Sequence, residues 1–223
     1  MDALREMTSR WFGLVAICFV LSLPAGLNAQ ESDDVQLPEQ SDVRIIVDIS
    51  GSMKDTDPDN LRQPAVRLLA RLLPEGASAG VWTFGQYVNM LVPHREVTNA
   101  WREIAIQRSA QINSVALRTN LGAAIETASD DYFTDGDLSR THFILLTDGK
   151  VDISDDPAKN TAEETRILDT IVADLIERGA TFHPVALSEA ADTDFLKALA
   201  TDSGGRFQVA DTADALNLAF LQA

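Results

Sequence analysis

Cysteine is almost absent from this chain. Of 223 residues only Cys18 is a cysteine, and it lies in an apolar run near the start. Beyond it no disulfide, thiolate metal site or cysteine nucleophile is available, so the core alone must hold the fold. Positive charge is scarce as well: 18 Lys and Arg face 34 Asp and Glu, a net charge of −16, and no basic cluster of five or six residues occurs. Nucleic acid and anionic lipid surfaces need a positive footprint, so neither nucleic acid nor direct lipid binding is expected. Enzyme signatures are missing too. There is no G-x-x-x-x-G-K-[ST] phosphate loop, no G-x-G-x-x-G after the first strand and no H-E-x-x-H pair. His94, His142 and His183 are scattered, the latter two in expected strands as core or edge residues. No serine-hydrolase elbow and no catalytic activity are expected.

Long hydrophobic runs are also missing, apart from one short one. Met1 to Arg10 is polar, Trp11 to Leu23 is a thirteen-residue run that is almost wholly apolar, and Pro24, Ala25 and Gly26 break it. A charged start, a short apolar run and a small residue at Ala29 read as a secretory signal over 1–29, cleaved near Ala29. The run is short for a transmembrane helix, and an uncleaved anchor is the competing reading. Ile17 before Cys18 is too bulky for a lipoprotein cleavage pattern. Residues 30–41 are polar and acidic and contain Pro38, which reads as a flexible leader. The expected location is outside the cytoplasm, in the periplasm or cell envelope. No hydrophobic anchor follows the last expected helix, which leaves open a soluble mature protein or the front part of a longer chain.

Regular structure is expected from about Val43 onward. Val43-Arg44-Ile45-Ile46-Val47 reads as a strand. Asp57 and Pro58 carry helix-start chemistry, followed by Leu61, Ala65, Leu68, Leu69 and Leu72 at helical spacing, with Arg62, Arg67 and Arg71 off that stripe. Two strands over Ala79–Phe84 and Tyr87–Val92 meet at Gly85-Gln86 as a hairpin. Helices over about 97–109 and 120–132, a strand at 141–146, a helical face at 167–176 ended by Gly179, a strand at 181–187 weakened by Pro184, a helix at 194–200, a strand at 206–209 and a helix at 213–221 complete the series. This alternation predicts an α/β fold, a three-layer doubly wound, mainly parallel sheet with helices on both faces. In such sheets ligands sit outside the carboxyl ends of the strands.

Three loops fall at that end, and each holds hard oxygen donors. Asp48-Ile49-Ser50-Gly51-Ser52-Met53 offers D-x-S-x-S, Thr119 heads Thr-Asn-Leu-Gly-Ala-Ala-Ile, and Asp148 lies in Leu-Leu-Thr-Asp-Gly. Such oxygens suit a divalent cation, Mg²⁺ first, with Mn²⁺ or Ca²⁺ as alternatives. Taken one at a time, Ser50 and Ser52 are ordinary turn residues and Asp48 an ordinary loop cap; their convergence with Thr119 and Asp148 is what points to a metal. An aspartate ending a first strand also occurs in phosphotransferases that use D-x-D, but position 50 is serine. Asp55, Asp57 and Asp59 alternate like a calcium loop, yet Asn60 stands where its glycine should be, and helix capping accounts for Asp57 and Asp59. Thr147 is expected to satisfy backbone groups and Gly149 to supply a positive-φ turn.

The three stretches Asp-Ile-Ser-Gly-Ser-Met, Arg-Thr-Asn-Leu-Gly-Ala-Ala-Ile and Leu-Leu-Thr-Asp-Gly, in this order, resemble the metal-site loops of von Willebrand factor type A (VWA) domains of the bacterial exported type. The resemblance covers residues 42–223. It implies a Rossmann-like sheet with an antiparallel edge strand and a metal-ion-dependent adhesion site (MIDAS). Ser50 and Ser52 would then ligate the ion directly, Thr119 directly or through water, and Asp48 and Asp148 would lie close, often acting through water. A carboxylate from a protein or peptide partner would fill the last position. Arg118, beside Thr119, is a candidate for reaching that carboxylate. Hydroxyl ligands leave the ion under-neutralised, so an acidic chain can still hold an acidic partner through it. The competing non-enzymatic reading is a docking subunit of a larger envelope assembly in which the metal is partly structural.

Overall fold

A computed structural model of the chain describes residues 41–130, 136–212, 214–216 and 218. The expected signal segment at 1–29, nearly all of the leader at 30–41 and much of the last expected helix lie outside these residues. Among the described residues no helix is long and apolar enough to cross a membrane.

Six strands form one sheet: β1 Asp42–Asp48, β2 Ser78–Phe84, β3 Val88–Glu96, β4 Thr141–Leu146, β5 Thr181–Ala186 and β6 Gln208–Val209, in the spatial order β3-β2-β1-β4-β5-β6. All neighbours run parallel except β2 and β3, which form the antiparallel edge. The chain winds outward from β1 in one direction and from β4 in the other, so the order reverses between these two strands. A crevice opens there at their carboxyl ends, the place where such sheets hold ligands. Helices α1 Met53–Thr56, α2 Arg62–Leu72, α3 Asn99–Ser109, α4 Leu121–Ala128, α5 Pro157–Arg166, α6 Ala173–Glu177 and α7 Thr193–Thr201 connect the strands. A π-helical segment, Ile167–Val172, joins α5 to α6.

The strands β1, β2, β4 and β5 are buried on both faces, which is why they read as apolar runs rather than alternating ones, while the edge strand β3 is largely open. Val43, Ile45, Val47, Val81, Ile144 and Val185 pack with Ala65, Val66, Leu69 and Trp101 on one side. Ile46, Trp82, Phe143, Leu145 and Phe182 pack with Leu121, Ile125, Ile171 and Leu196 on the other. Arg44 interrupts β1 yet is fully buried. Its guanidinium donates to Asp42 at 2.7 and 2.9 Å and to the Ala128 carbonyl, and lies over the Phe143 ring. His94 Nε2 meets the other Asp42 oxygen at 2.7 Å.

Several boundaries differ from the sequence expectation. Helix α2 starts at Arg62, not beside Pro58, and Pro64 occupies its first turn. Asp57 still caps it, accepting from the Leu61 and Arg62 amides at 2.7 and 3.4 Å, whereas Asp59 is exposed. The buried stripe is Ala65, Val66, Leu69 and Ala70, and Leu72 is 44% exposed. The helix before Gly179 begins at Pro157, capped by Asp156. Its first ten residues are largely exposed and carry no apolar stripe to read.

Pro184 sits inside the sheet without costing a β4–β5 bond. The Phe182 amide, two residues earlier and on the same edge of the strand, donates to Ser203 Oγ at 2.9 Å, away from β4. Pairing with β6 starts only at Val185, so the missing proline donor falls where no ladder bond is made. Gly76-Ala77-Ser78-Ala79-Gly80 has the G-x-S-x-G spacing of a hydrolase elbow, against the expectation that none exists. It leads from a turn into β2 instead of from a strand into a helix, so it lacks that geometry.

Candidate metal centre

Asp48 ends β1 at the crevice and is completely buried. Its Oδ1 accepts from the Ser50 amide at 2.8 Å and its Oδ2 from the Thr147 hydroxyl at 2.8 Å. The first bond tightens the Asp48–Ser50 turn and the second ties the ends of β1 and β4 together. The chain then enters α1, and the Ser50 and Ser52 hydroxyls come to lie 3.0 Å apart. Across the crevice Asp148 is also buried. Its Oδ2 accepts from Thr56 Oγ1 at 3.2 Å and its Oδ1 from the Lys150 amide at 3.1 Å, with Lys150 Nζ 4.0 Å from Oδ2. Gly149 follows with φ +75; a Cβ there would lie 2.9 Å from Leu196 Cγ, so the turn requires glycine for both reasons.

The third loop is laid against the first two by its backbone. The Ala116 amide donates to the Ile49 carbonyl and the Asn120 amide to the Gly85 carbonyl, each at 3.0 Å. Thr119 exchanges two backbone bonds with Asp152 at 2.7 and 3.1 Å. Thr119 is 3% exposed, and its hydroxyl makes no hydrogen bond among the described residues. Asn120 caps α4 by accepting from the Ala123 amide. Arg118 has φ +62, and its guanidinium donates to Asp152 at 2.9 Å and to Asp155 at 2.6 Å.

Of the residues singled out in the sequence, Asp48 and Ser50 are therefore hydrogen-bonded, and Ser52 joins them through the Ser50 hydroxyl. Asp148 joins them through Thr56, which also bonds to the Ser52 carbonyl at 3.2 Å. Thr119 and Arg118 reach the same end of the sheet without a hydrogen bond to the other four, and Arg118 already has two carboxylate partners. Burial pushes the Asp48 carboxyl up to about 6, and the nearby Asp148 charge adds to this, against the pull of the Ser50 and Thr147 bonds. Among the described residues no three His, Cys, Asp or Glu side chains converge as a metal cluster. Any cation here must rely partly on hydroxyls, and the donors at hand are a close serine pair, the Thr119 hydroxyl and two buried carboxylates. That donor set fits a hard divalent ion that keeps some of its water.

Sequence reading missed Arg62, placed off the helical stripe and so expected outside. It is fully buried behind the site, donating to the Asp48 carbonyl, to Asp57 Oδ2 at 2.6 Å and to Ser114 Oγ at 2.7 Å. It fastens the first loop to the segment before Thr119. Nothing in the local sequence distinguishes it from Arg67 or Arg71. Thr56 was missed as well, and Thr147 bonds to Asp48 besides accepting from the Gly149 amide at 3.1 Å.

The family model for the von Willebrand factor type A domain matches residues 42–222. The chain belongs to this family. No curated protein sequence matches it. Among solved structures, a von Willebrand factor type A protein from Catenulispora acidiphila aligns with a TM-score of 0.63 at 20% identity, over 82% of this chain and 41% of that one. The conserved hypothetical protein BatB from Bacteroides thetaiotaomicron gives 0.59 at 16% identity, over 82% of this chain and 96% of its own. Proximal thread matrix protein 1 from the mussel byssus, with a zinc-occupied MIDAS motif, gives 0.58 at 17% identity, over 82% of this chain and 46% of that one. The VWA chain thus spans less than half of two of these proteins and nearly all of the third. At these identities the likeness is one of fold.

Proposed function

We propose that this VWA chain is a divalent-cation-dependent protein- or peptide-binding module, not an enzyme. In this reading Ser50 and Ser52 ligate the ion, Thr119 and Asp148 complete its protein side, and Asp48 orients the serine loop. The observation that carries it is the pair of buried carboxylates beside two serine hydroxyls 3.0 Å apart, with Asp48 pushed up first by burial and further by the neighbouring Asp148 charge. Arg62 does not neutralise them, because it meets only the Asp48 main chain and its charge is matched by Asp57. A bound cation would relieve that repulsion. Few anionic ligands would leave it electrophilic enough to take a carboxylate from a partner. Mg²⁺ is the expected ion. The zinc-occupied motif of the mussel protein shows that this fold can hold a divalent ion. The apolar run at Trp11–Leu23 supports export to the envelope.

Calorimetric titration with Mg²⁺, Mn²⁺ and Ca²⁺ tests the cation. One site is expected in the parent chain and none in a Ser50→Ala, Ser52→Ala double variant of unchanged circular dichroism. Equal binding by both would refute the assignment.

A further inference from the structure

The three most exposed large apolar side chains among the described residues are Leu117 at 74%, Tyr87 at 73% and Val115 at 70%. All three flank the candidate cation site. Tyr87 lies in the turn between β2 and β3, where its carbonyl accepts from the Gly85 amide at 3.2 Å. Val115 and Leu117 bracket Ala116, whose amide is bonded to Ile49, between Asp48 and Ser50. A Cβ on Gly85 would fall 2.2 Å from Ala116 Cβ and 3.3 Å from the Leu117 carbonyl, so the 114–118 segment lies directly on the Tyr87 turn.

This exposure is imposed by the backbone. Ser114 is held by Arg62, Ala116 by Ile49, Thr119 by Asp152 and Asn120 by Gly85. Ala116 is turned toward Gly85, and Val115 and Leu117 on either side of it are exposed. A surface that exposes apolar groups in a fixed arrangement beside a binding position is characteristic of a contact site. The surrounding charge restricts what can bind. Asp55 and Asp155 are exposed and Asp152 half-buried around this end, Arg118 is spent on the last two, and the chain carries −16 overall. Lys54 and Lys150 are the exposed cations beside the site loops, so on balance a partner rich in acidic residues would be repelled away from the ion.

We infer that the Tyr87–Val115–Leu117 ledge takes the apolar flank of a peptide segment whose single acidic residue caps the bound cation. This rests on the cation-site reading above. The partner class is then an exposed loop or terminus with one Asp or Glu next to apolar residues and no further acidic neighbours.

The test is selection of a displayed library of random linear peptides on the immobilised chain in Mg²⁺, with elution by EDTA. Eluted sequences are expected to carry one Asp or Glu adjacent to apolar residues. A selected peptide, followed by fluorescence polarisation, should bind at least about tenfold more weakly to a Tyr87→Ser, Val115→Ser, Leu117→Ser variant, given the apolar area lost from the contact. Mg²⁺ binding by that variant, read by calorimetry, should be unchanged. Acidic peptides without an apolar neighbour, no EDTA-eluted peptides from a Mg²⁺-loaded chain, or equal affinity of the variant would overturn the ledge while leaving the cation site standing. Mg²⁺-dependent self-association lost in the variant would make a second copy the occupant and overturn the peptide assignment. Failure of the parent chain to bind any divalent ion would overturn both readings.

Discussion

β1 carries a carboxylate at each end, Asp42 partly buried and Asp48 fully buried, and the two are treated oppositely. Asp42, at the amino end, is enclosed by positive groups: Arg44 donates two hydrogen bonds to it and His94 meets its other oxygen. Burial pulls its pKa upward, but His94 and Arg44 outweigh this and hold it below the usual carboxylate range. Asp48, six residues on, receives only neutral donors, the Ser50 amide and the Thr147 hydroxyl, and faces a second carboxylate. Burial pushes it up to about 6. Identical side chains on one strand thus show a neutralised carboxylate, as structural ones are, and one left without a counter-charge. The second condition is costly unless something supplies positive charge, which is why the carboxyl end is the candidate site and the amino end is not.

The largest effect that tests this contrast is at Asp42. Asp42→Ala strands the fully buried Arg44 and is expected to destabilise the fold by about 3–5 kcal/mol in urea unfolding, as broken buried ion pairs do. Asp48→Asn in the cation-free chain should change stability far less, within about 1 kcal/mol, because a neutral amide can still accept one of the two bonds. If Asp48→Asn proves the more damaging of the two, the contrast fails.

The same Asp48→Asn change should lower Mg²⁺ affinity by roughly 10–100-fold in calorimetry, the range typical of groups that orient metal ligands. Asp42→Asn should leave affinity unaltered. Arg62→Lys, which keeps the charge and loses the three-way fork, should weaken Mg²⁺ binding through loosening of the 114–119 segment, by less than Asp48→Asn does.

Dependence on pH sharpens the comparison further. The folded pKa of Asp48, about 6, lies above its ordinary 3.8. The contribution of this group to stability is therefore complete below about 3.8 and is lost as pH rises through about 6 in the cation-free chain. A saturating divalent ion should abolish that loss. The rise in melting temperature on adding Mg²⁺ should accordingly be larger near pH 7.5 than near pH 5; an equal rise at both would remove Asp48 from the site.

The smallest effect concerns His183, whose Nε2 lies 3.3 Å from His142 Nδ1 on the neighbouring strand. Burial first, then His142 and Arg206, push His183 down to about 4 from 6.5. Its contribution is full above about 6.5 and is lost as pH falls toward about 4, so His183→Leu should flatten the acid limb of a stability–pH profile over that range.

Much of the architecture was legible because its physics is local. β4 matches its expected strand, 141–146, because six apolar-rich residues buried on both faces leave no other reading. The β2–β3 hairpin was marked by Gly85-Gln86, though β3 continues past Pro93 to Glu96 because its pairing with β2 extends back to Ser78. Asp156 and Pro157 begin a helix that was expected only from 167, since an exposed helix face gives no hydrophobic period. At the site, Asp48, Ser50 and Ser52 were legible because they are neighbours in sequence. Thr56 and Arg62 were not, because what they touch, Asp148 and Ser114, lies 92 and 52 residues away.

The sequence by itself determined the alternation of strands and helices, the order of the three oxygen-bearing loops and the shortage of positive charge around them. Those follow from periodicity, turn chemistry and composition, which act over a few residues. Only the tertiary structure decided that Asp42 is neutralised and Asp48 is not, that Arg62 is turned inward, and that Tyr87, Val115 and Leu117 stand out beside the serine loop. Each of these depends on which strands and loops the fold brings against the two ends of β1. The field at a carboxylate is set by groups within a few ångströms in space, however far apart they lie along the chain.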